Sequence, residues 1–123
     1  SGAVEAALSY VGLSNVADLM GGQLNLFQRR LVELGKCLVG SPRLVLLDEP
    51  AAGLTDDEGA VLKDLVLGIP AATGAQVLVI DHDVELIRAM CTQTMVLDYG
   101  KLLALGATAE VLENENVRRA YLG

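Results

Sequence analysis

Two short clusters hold residues whose types and spacing suit chemistry. In "RLVLLDEP" an apolar run ends in Asp48 and Glu49, and in "QVLVIDHD" a second run ends in Asp81, His82 and Asp83. Adjacent residues at a strand end point opposite ways, so Asp48 and Glu49 can serve two tasks at one sheet edge. A carboxylate such as Asp48 suits a magnesium ion, held directly or through water, and Glu49 suits polarising a water for attack on a phosphate. The plainer alternative is that Asp-Glu-Pro only ends the strand, because Pro50 cannot continue it. His82 offers two ring nitrogens that suit touching a phosphate or orienting the water. A lone histidine is more often a solvated residue, and His82 gains meaning only at one edge with the two acids.

The elements around these clusters decide whether they share that edge. Both apolar runs are short, continuous and bounded by turn residues, which predicts strands buried on both faces, as in a parallel sheet. Ligands of open parallel sheets bind at the C-terminal strand edge, where both clusters fall. Between the strands a helix starts near Asp56, with three acids placed to complement its dipole. Its apolar face is Val61, Leu62, Leu65, Val66 and Ile69, and Thr73-Gly74 turns the chain into the second strand. Upstream, Val4, Ala7, Leu8 and Val11 mark a helix stopped by Gly12, and a loop with Ser14, Asn15, Gly21 and Gly22 follows. Phe27, Leu31, Leu34 and Leu38 then line a helix that ends near Gly40-Ser41-Pro42. Downstream, Val84, Ile87, Met90 and Cys91 mark another, and "TMVLDYGKLLALG" reads as two strands around Tyr99-Gly100-Lys101. Short helices near 108–113 and 115–121 close the chain. The pattern predicts an α/β fold with a mostly parallel sheet, flanking helices and a C-terminal β-hairpin.

Composition sets further bounds. The 123 residues, 52% of them apolar, fit one domain with an adequate core, and 3% aromatic content without Trp makes that core aliphatic. A net charge of -7 argues against a sequence-independent nucleic-acid binder. No apolar run approaches the roughly 18–20 residues of a membrane span, and no charged-then-apolar leader is seen, so the expectation is a cytosolic chain without membrane insertion. Cys37 and Cys91 lie far apart in helical patterns and read as small core residues kept reduced.

"LVLLDEPAAGL" resembles the Walker B strand and D-loop of ATP-binding-cassette (ABC) ATPases, and "VLVIDHD" resembles their switch-histidine strand. "MVLDYGKLLALGATAEVL" with "NVRRAYLG" is similar to the C-terminal end in that family, and "DEPAAGL" with the closing "AYLG" is most similar to ATPase subunits of branched-chain amino-acid importers. The likeness runs from about Val4 to Gly123. It implies a P-loop NTPase (RecA-like) fold, ATP and magnesium as cofactors, and Asp48 as the Mg-associated aspartate. It makes Glu49 the general base or water-orienting carboxylate and His82 the switch histidine. Ala52, Gly53, Leu54 and Thr55 fall on the D-loop, which in the family touches a second ATPase subunit across the ATP-loaded dimer. Thr55 stands where many members carry Asp. The implied partners are that second subunit and transmembrane permease subunits, which place the protein at the inner face of the cell membrane.

Two stretches compete for the family's L-S-G-G-Q signature: Leu19-Met20-Gly21-Gly22-Gln23 and Leu24-Asn25-Leu26-Phe27-Gln28. In the family the signature glutamine precedes the Walker B aspartate by about 20 residues; Gln28 lies 20 before Asp48 and Gln23 lies 25 before it. Five extra residues would turn the following helix by roughly 500°, about 140° net, and carry its leucine stripe off the core. Leu24 to Gln28 is therefore the aligned element, and Leu19 to Gln23 is loop. The resemblance makes Asn25, Leu26, Phe27 and Gln28 a degenerate signature facing the partner's ATP. Asn25 can cap a helix, and Phe27 replaces the glycine that lets backbone and phosphate approach. Phe27 also sits four residues before Leu31 and extends the apolar stripe.

No G-x-x-x-x-G-K-[ST] occurs in the chain. The resemblance therefore implies the C-terminal portion of one nucleotide-binding domain, with about 1–40 ending the helical subdomain and 41–123 forming part of the catalytic core. The family's P-loop strand would lie between the strand ending at Asp81 and the one at Met95–Asp98. Without it the strands either close up or leave edges that pair with another copy. Three functions compete: the ATPase subunit of an importer (inactive as this portion alone), a regulatory module that has lost hydrolysis, and a non-transport ABC ATPase.

Overall fold

The computed structural model describes residues 2–16, 18 and 21–122, and the chain divides into two compact units, Ser1–Ile80 and Asp81–Gly123. In the first, α1 (Gly2–Tyr10) ends where Gly12 takes a left-handed φ of 78°. Leu13 N–H donates to the Leu8 carbonyl and Gly12 N–H to that of Ser9, a Schellman ending that satisfies two helix-terminal carbonyls. The chain passes through a turn at Gly21–Gln23 into α2 (Leu26–Val39), which buries Leu31, Leu34 and Gly35. Gly35 is the close-approach point between helices: a Cβ there would meet Val11 at 3.7 Å.

Strand β1 (Leu44–Asp48), helix α3 (Asp56–Thr73) and strand β2 (Gln76–Ile80) then form a β-α-β unit. The strands pair in parallel, Leu44 opposite Gln76 through Asp48 opposite Ile80. Thr55 caps α3 with Glu58 in a reciprocal capping box, and Gly74 at φ 78° ends it. The helix runs through Pro70 for one last turn, in which the Thr73 hydroxyl donates to the Ile69 carbonyl at 2.8 Å. Leu62, Val66 and Ile69 are buried on its inner face, whereas Val61, expected there, is exposed.

The strands are not buried on both faces as the sequence predicts. Val45, Leu47, Val77 and Val79 are buried or half-buried, but Leu44, Leu46, Leu78 and Ile80 on the other face are 52–60% exposed. A single crossover helix covers only one face of a two-stranded sheet.

The second unit opens with α4 (Val84–Met90), capped by Asp83. Strands β3 (Gln93–Asp98) and β4 (Lys101–Ala107) form an antiparallel hairpin with a bulge that leaves Leu103 between the pairs Val96–Ala104 and Leu97–Leu102. Its two-residue turn has Tyr99 at φ 48° and Gly100 at φ 76°, the double positive φ of a type I′ turn. Helix α5 (Thr108–Glu113) and the short α6 (Glu115–Val117), continued by a π-helical turn (Arg118–Leu122), close the unit. Val96, Val111, Leu112 and Val117 are its core, and the hydroxyls of Thr94 and Thr108 meet at 2.6 Å.

The elements are those of the expected α/β class, with β1 and β2 paired in parallel in the first unit and the expected C-terminal hairpin in the second. The cysteines are not both core residues: Cys37 is exposed and Cys91 half-buried. Cys37 lies two residues past buried Gly35, about 200° around α2 from it at 100° per residue, off the buried stripe.

Two outcomes follow from this packing. The Tyr10 hydroxyl donates to the Leu65 carbonyl, and a Cβ on Gly68 would sit 2.8 Å from that hydroxyl. Gly68→Ala should lower the urea midpoint in the native background; with Tyr10→Phe it should instead gain up to about 1 kcal/mol from helix propensity. Burial raises the Cys91 thiol pKa, so at neutral pH mass spectrometry should find Cys37 alkylated by iodoacetamide well before Cys91.

Candidate functional site around the end of strand β1

Asp48 ends β1 as an exposed residue level with Ile80 of β2, so the C-terminal ends of the two strands coincide. Glu49 leaves the strand at φ 46°, a left-handed conformation uncommon for a residue with a Cβ. Its N–H donates to the Ile80 carbonyl at 2.7 Å and its carbonyl accepts from Ala52 N–H at 3.1 Å. The strand pairing thus continues one residue past Asp48, and the chain turns sharply with Glu49 half-buried.

Leu24 to Gln28 lies at the N-terminus of α2, and Gly21–Gln23 forms a separate turn ahead of it; Leu19 and Met20 lie outside the described residues. Asn25 is the N-cap. Its Oδ1 accepts from Gln28 N–H at 2.8 Å, and Gln28 Oε1 accepts from Asn25 N–H at 3.0 Å. This capping box satisfies two backbone donors that a helix otherwise offers to water or an anion. Phe27 is half-buried, ahead of buried Leu31 on the same helix.

Ala52 and Gly53 are exposed and Leu54 is half-buried. Gly53 has φ 81°, and a Cβ there would meet Leu26 Cδ2 at 3.2 Å, so α2 approaches this loop closely. Thr55 is engaged locally: its Oγ1 accepts from Glu58 N–H at 3.2 Å, while its own N–H donates to Glu58 Oε1 at 3.1 Å. Asn25 to Gln28, Asp48, Glu49 and Ala52 to Thr55 accordingly share the first unit.

His82 belongs to the second unit, although Asp81 and His82 directly follow Ile80 in the chain. Its side chain is 79% exposed, with Nδ1 3.8 Å from Asp81 Oδ1. That Asp81 oxygen accepts from Asp83 N–H at 2.9 Å, and Asp83 in turn caps α4 through Leu86 N–H at 3.2 Å. The acids flanking His82 shape the turn.

One residue absent from the sequence reading is Arg30, one turn into α2. Its Nη1 donates to the carbonyls of Pro50 at 3.2 Å and Glu49 at 3.5 Å. The only sequence signal is its place four residues after Leu26, on the same helix face.

Asn25→Ala should lower stability by about 1 kcal/mol in urea denaturation, and Asn25→Ser by much less, because serine also caps.

No family model matches the chain. It is 35% identical over 116 residues to the high-affinity branched-chain amino acid transport ATP-binding protein BraF of Pseudomonas aeruginosa, covering 94% of this chain and 46% of that protein. It is 34% identical over 111 residues to the lipopolysaccharide export system ATP-binding protein LptB of Escherichia coli, covering 90% and 46%. Among solved structures, the ADP conformation of MJ1267, an ATP-binding cassette of an ABC transporter, matches with a TM-score of 0.87 and 26% identity, covering 99% of this chain and 49% of that one. An inward-facing putative metal-chelate type ABC transporter shares the fold, with a TM-score of 0.89 at 21% identity, over 98% of this chain and 47% of its own. The chain thus spans about half the length of the relatives it matches. By likeness of sequence and of fold, the chain is related to part of the ATP-binding proteins of ABC transporters.

Proposed function

We propose that the full-length protein carrying this chain is an ATP-hydrolysing subunit of an ABC transporter, and that the chain is the C-terminal portion of its nucleotide-binding domain. In this reading residues 1–40 end the helical subdomain and 41–123 belong to the catalytic core. The observation that carries it is the seating of the α2 N-terminal turn on the loop after β1. It groups the signature-position residues, Asp48-Glu49 and Ala52–Thr55 in one unit, in the order the family resemblance requires.

The residue types fit ATP and magnesium. Asp48 offers an exposed carboxylate at a strand end, a hard oxygen donor of the kind magnesium takes. When bound, the ion neutralises charge on the phosphate oxygens. By the family resemblance, Glu49 would orient the attacking water and His82 would serve as the switch histidine toward the γ-phosphate. Asn25 to Gln28 face the nucleotide of a second ATPase subunit, and Ala52 to Thr55 line the contact with it. Among the described residues no helix is long and apolar enough to cross a membrane, and attachment at the inner face of the cell membrane would come through permease subunits. The likeness to BraF supports import of branched-chain or related amino acids, and the comparable identity to LptB makes lipopolysaccharide export the rival substrate class.

A second reading, a regulatory cassette with weak hydrolysis, is favoured by one observation. The Asn25–Gln28 capping box occupies two donors at the α2 N-terminus, and Phe27 follows where the family carries glycine.

ATP turnover of the full-length protein with its partner subunit separates the readings. An ATPase should lose about 100-fold or more in kcat on Glu49→Gln. Asn25→Ser combined with Phe27→Gly should raise turnover if the altered signature limits it. Turnover indifferent to Glu49→Gln would reject the ATPase reading.

A further inference from the structure

We propose that Arg30 is a positioning residue for Glu49, acting through the backbone and tying the direction of that carboxylate to the N-terminal turn of α2.

The argument starts from the backbone. Glu49 holds φ at 46°, and such a conformation in a residue with a Cβ persists only where its surroundings fix it. On the amino side the fixing contact is Glu49 N–H to the Ile80 carbonyl, at 2.7 Å. On the carboxyl side the Arg30 guanidinium meets two successive carbonyls, those of Glu49 and Pro50, at 3.5 and 3.2 Å. Hydrogen bonds from a charged donor are stronger than neutral ones, and the planar guanidinium is a rigid source of them. One helical turn earlier, Leu26 lies so close to Gly53 that a Cβ added there would come within 3.2 Å of Leu26 Cδ2. Leu26 and Arg30 are four residues apart, so one face of α2 grips the segment 49–53 at two points. Any shift of the α2 N-terminus therefore carries the Glu49 peptide with it. Arg29, one position away, is exposed and bonds through its backbone N–H to the Asn25 carbonyl at 3.0 Å.

The kinetic part of the test rests on the ATPase reading, and the backbone part does not. In the full-length protein with its partner subunit, Arg30→Ala should lower kcat about tenfold while the KM for ATP stays within about twofold. Arg30→Lys, a point charge that reaches one carbonyl, should recover part of the loss. In a Glu49→Gln background, Arg30→Ala should change the residual rate by less than about twofold, since the two act as a unit. NMR without nucleotide gives the independent readout. The strong intraresidue HN–Hα NOE that marks a positive φ at Glu49 should weaken in Arg30→Ala and stay close to native in Arg30→Lys.

An unchanged NOE in folded Arg30→Ala overturns the proposal, as does an unchanged kcat or an equal loss in the Glu49→Gln background. If Arg30→Ala does not fold, Arg30→Gln is read by the same measures. If the native protein shows no Glu49-dependent turnover, the ATPase reading fails, and the NOE still decides the role of Arg30.

Discussion

Two strands that run the same way cannot be joined by a tight turn; the chain must cross back along the sheet, and here it does so through α3. The remainder of the first unit depends on that crossover. Because Leu62, Val66 and Ile69 need cover, α3 lies along one face of β1 and β2 and draws Val45, Val77 and Val79 inward. Because the pairing is parallel and in register, both strands finish at one level, with Asp48 opposite Ile80. Two acids at the end of an extended run would otherwise be a strand terminus and nothing more.

A second contact gives that edge its direction. Helix α2 lies ahead of the sheet in sequence, yet its first two turns reach the loop after β1 through Leu26 and Arg30. Its own N-terminus is closed by Asn25 and Gln28. The box satisfies the N–H groups of Asn25 and Gln28, so an anion approaching those two donors competes with side chains already in place.

Much of this was legible in the sequence because it depends on local rules. The start of α2 at Leu26, the end of α1 at Gly12 and the turn at Tyr99-Gly100 each rest on a few adjacent residues whose backbone preferences are strong. Choosing Gln28 over Gln23 rests on the spacing to Asp48 that the family resemblance implies, with helical periodicity carried from Leu31 and Leu34 in support. What stayed hidden depends on what lies opposite. A run such as Leu44–Leu47 has the same letters whether one face or two are covered, so the exposure of Leu44 and Leu46 had no sequence signal. Arg30 escaped notice for a related reason: its partners are main-chain carbonyls, which no residue type announces. Cys37 was misjudged because a small apolar letter in a helix says little about which side it faces.

The hairpin of the second unit has a consequence for how the chain acquires its structure. Tyr99 and Gly100 set the turn, and every pair from Asp98–Lys101 out to Gln93–Ala107 closes a loop only slightly longer than the last. Hairpins of this kind form in roughly 1–10 μs. The parallel pair must instead bring Val45 to Val77 across the whole of α3, at a far greater entropic cost of loop closure. Order should therefore appear in the hairpin at 93–107 before it appears in the β1–β2 pair, although β1 precedes the hairpin in the chain, and Leu46 and its neighbours stay exposed in the interval.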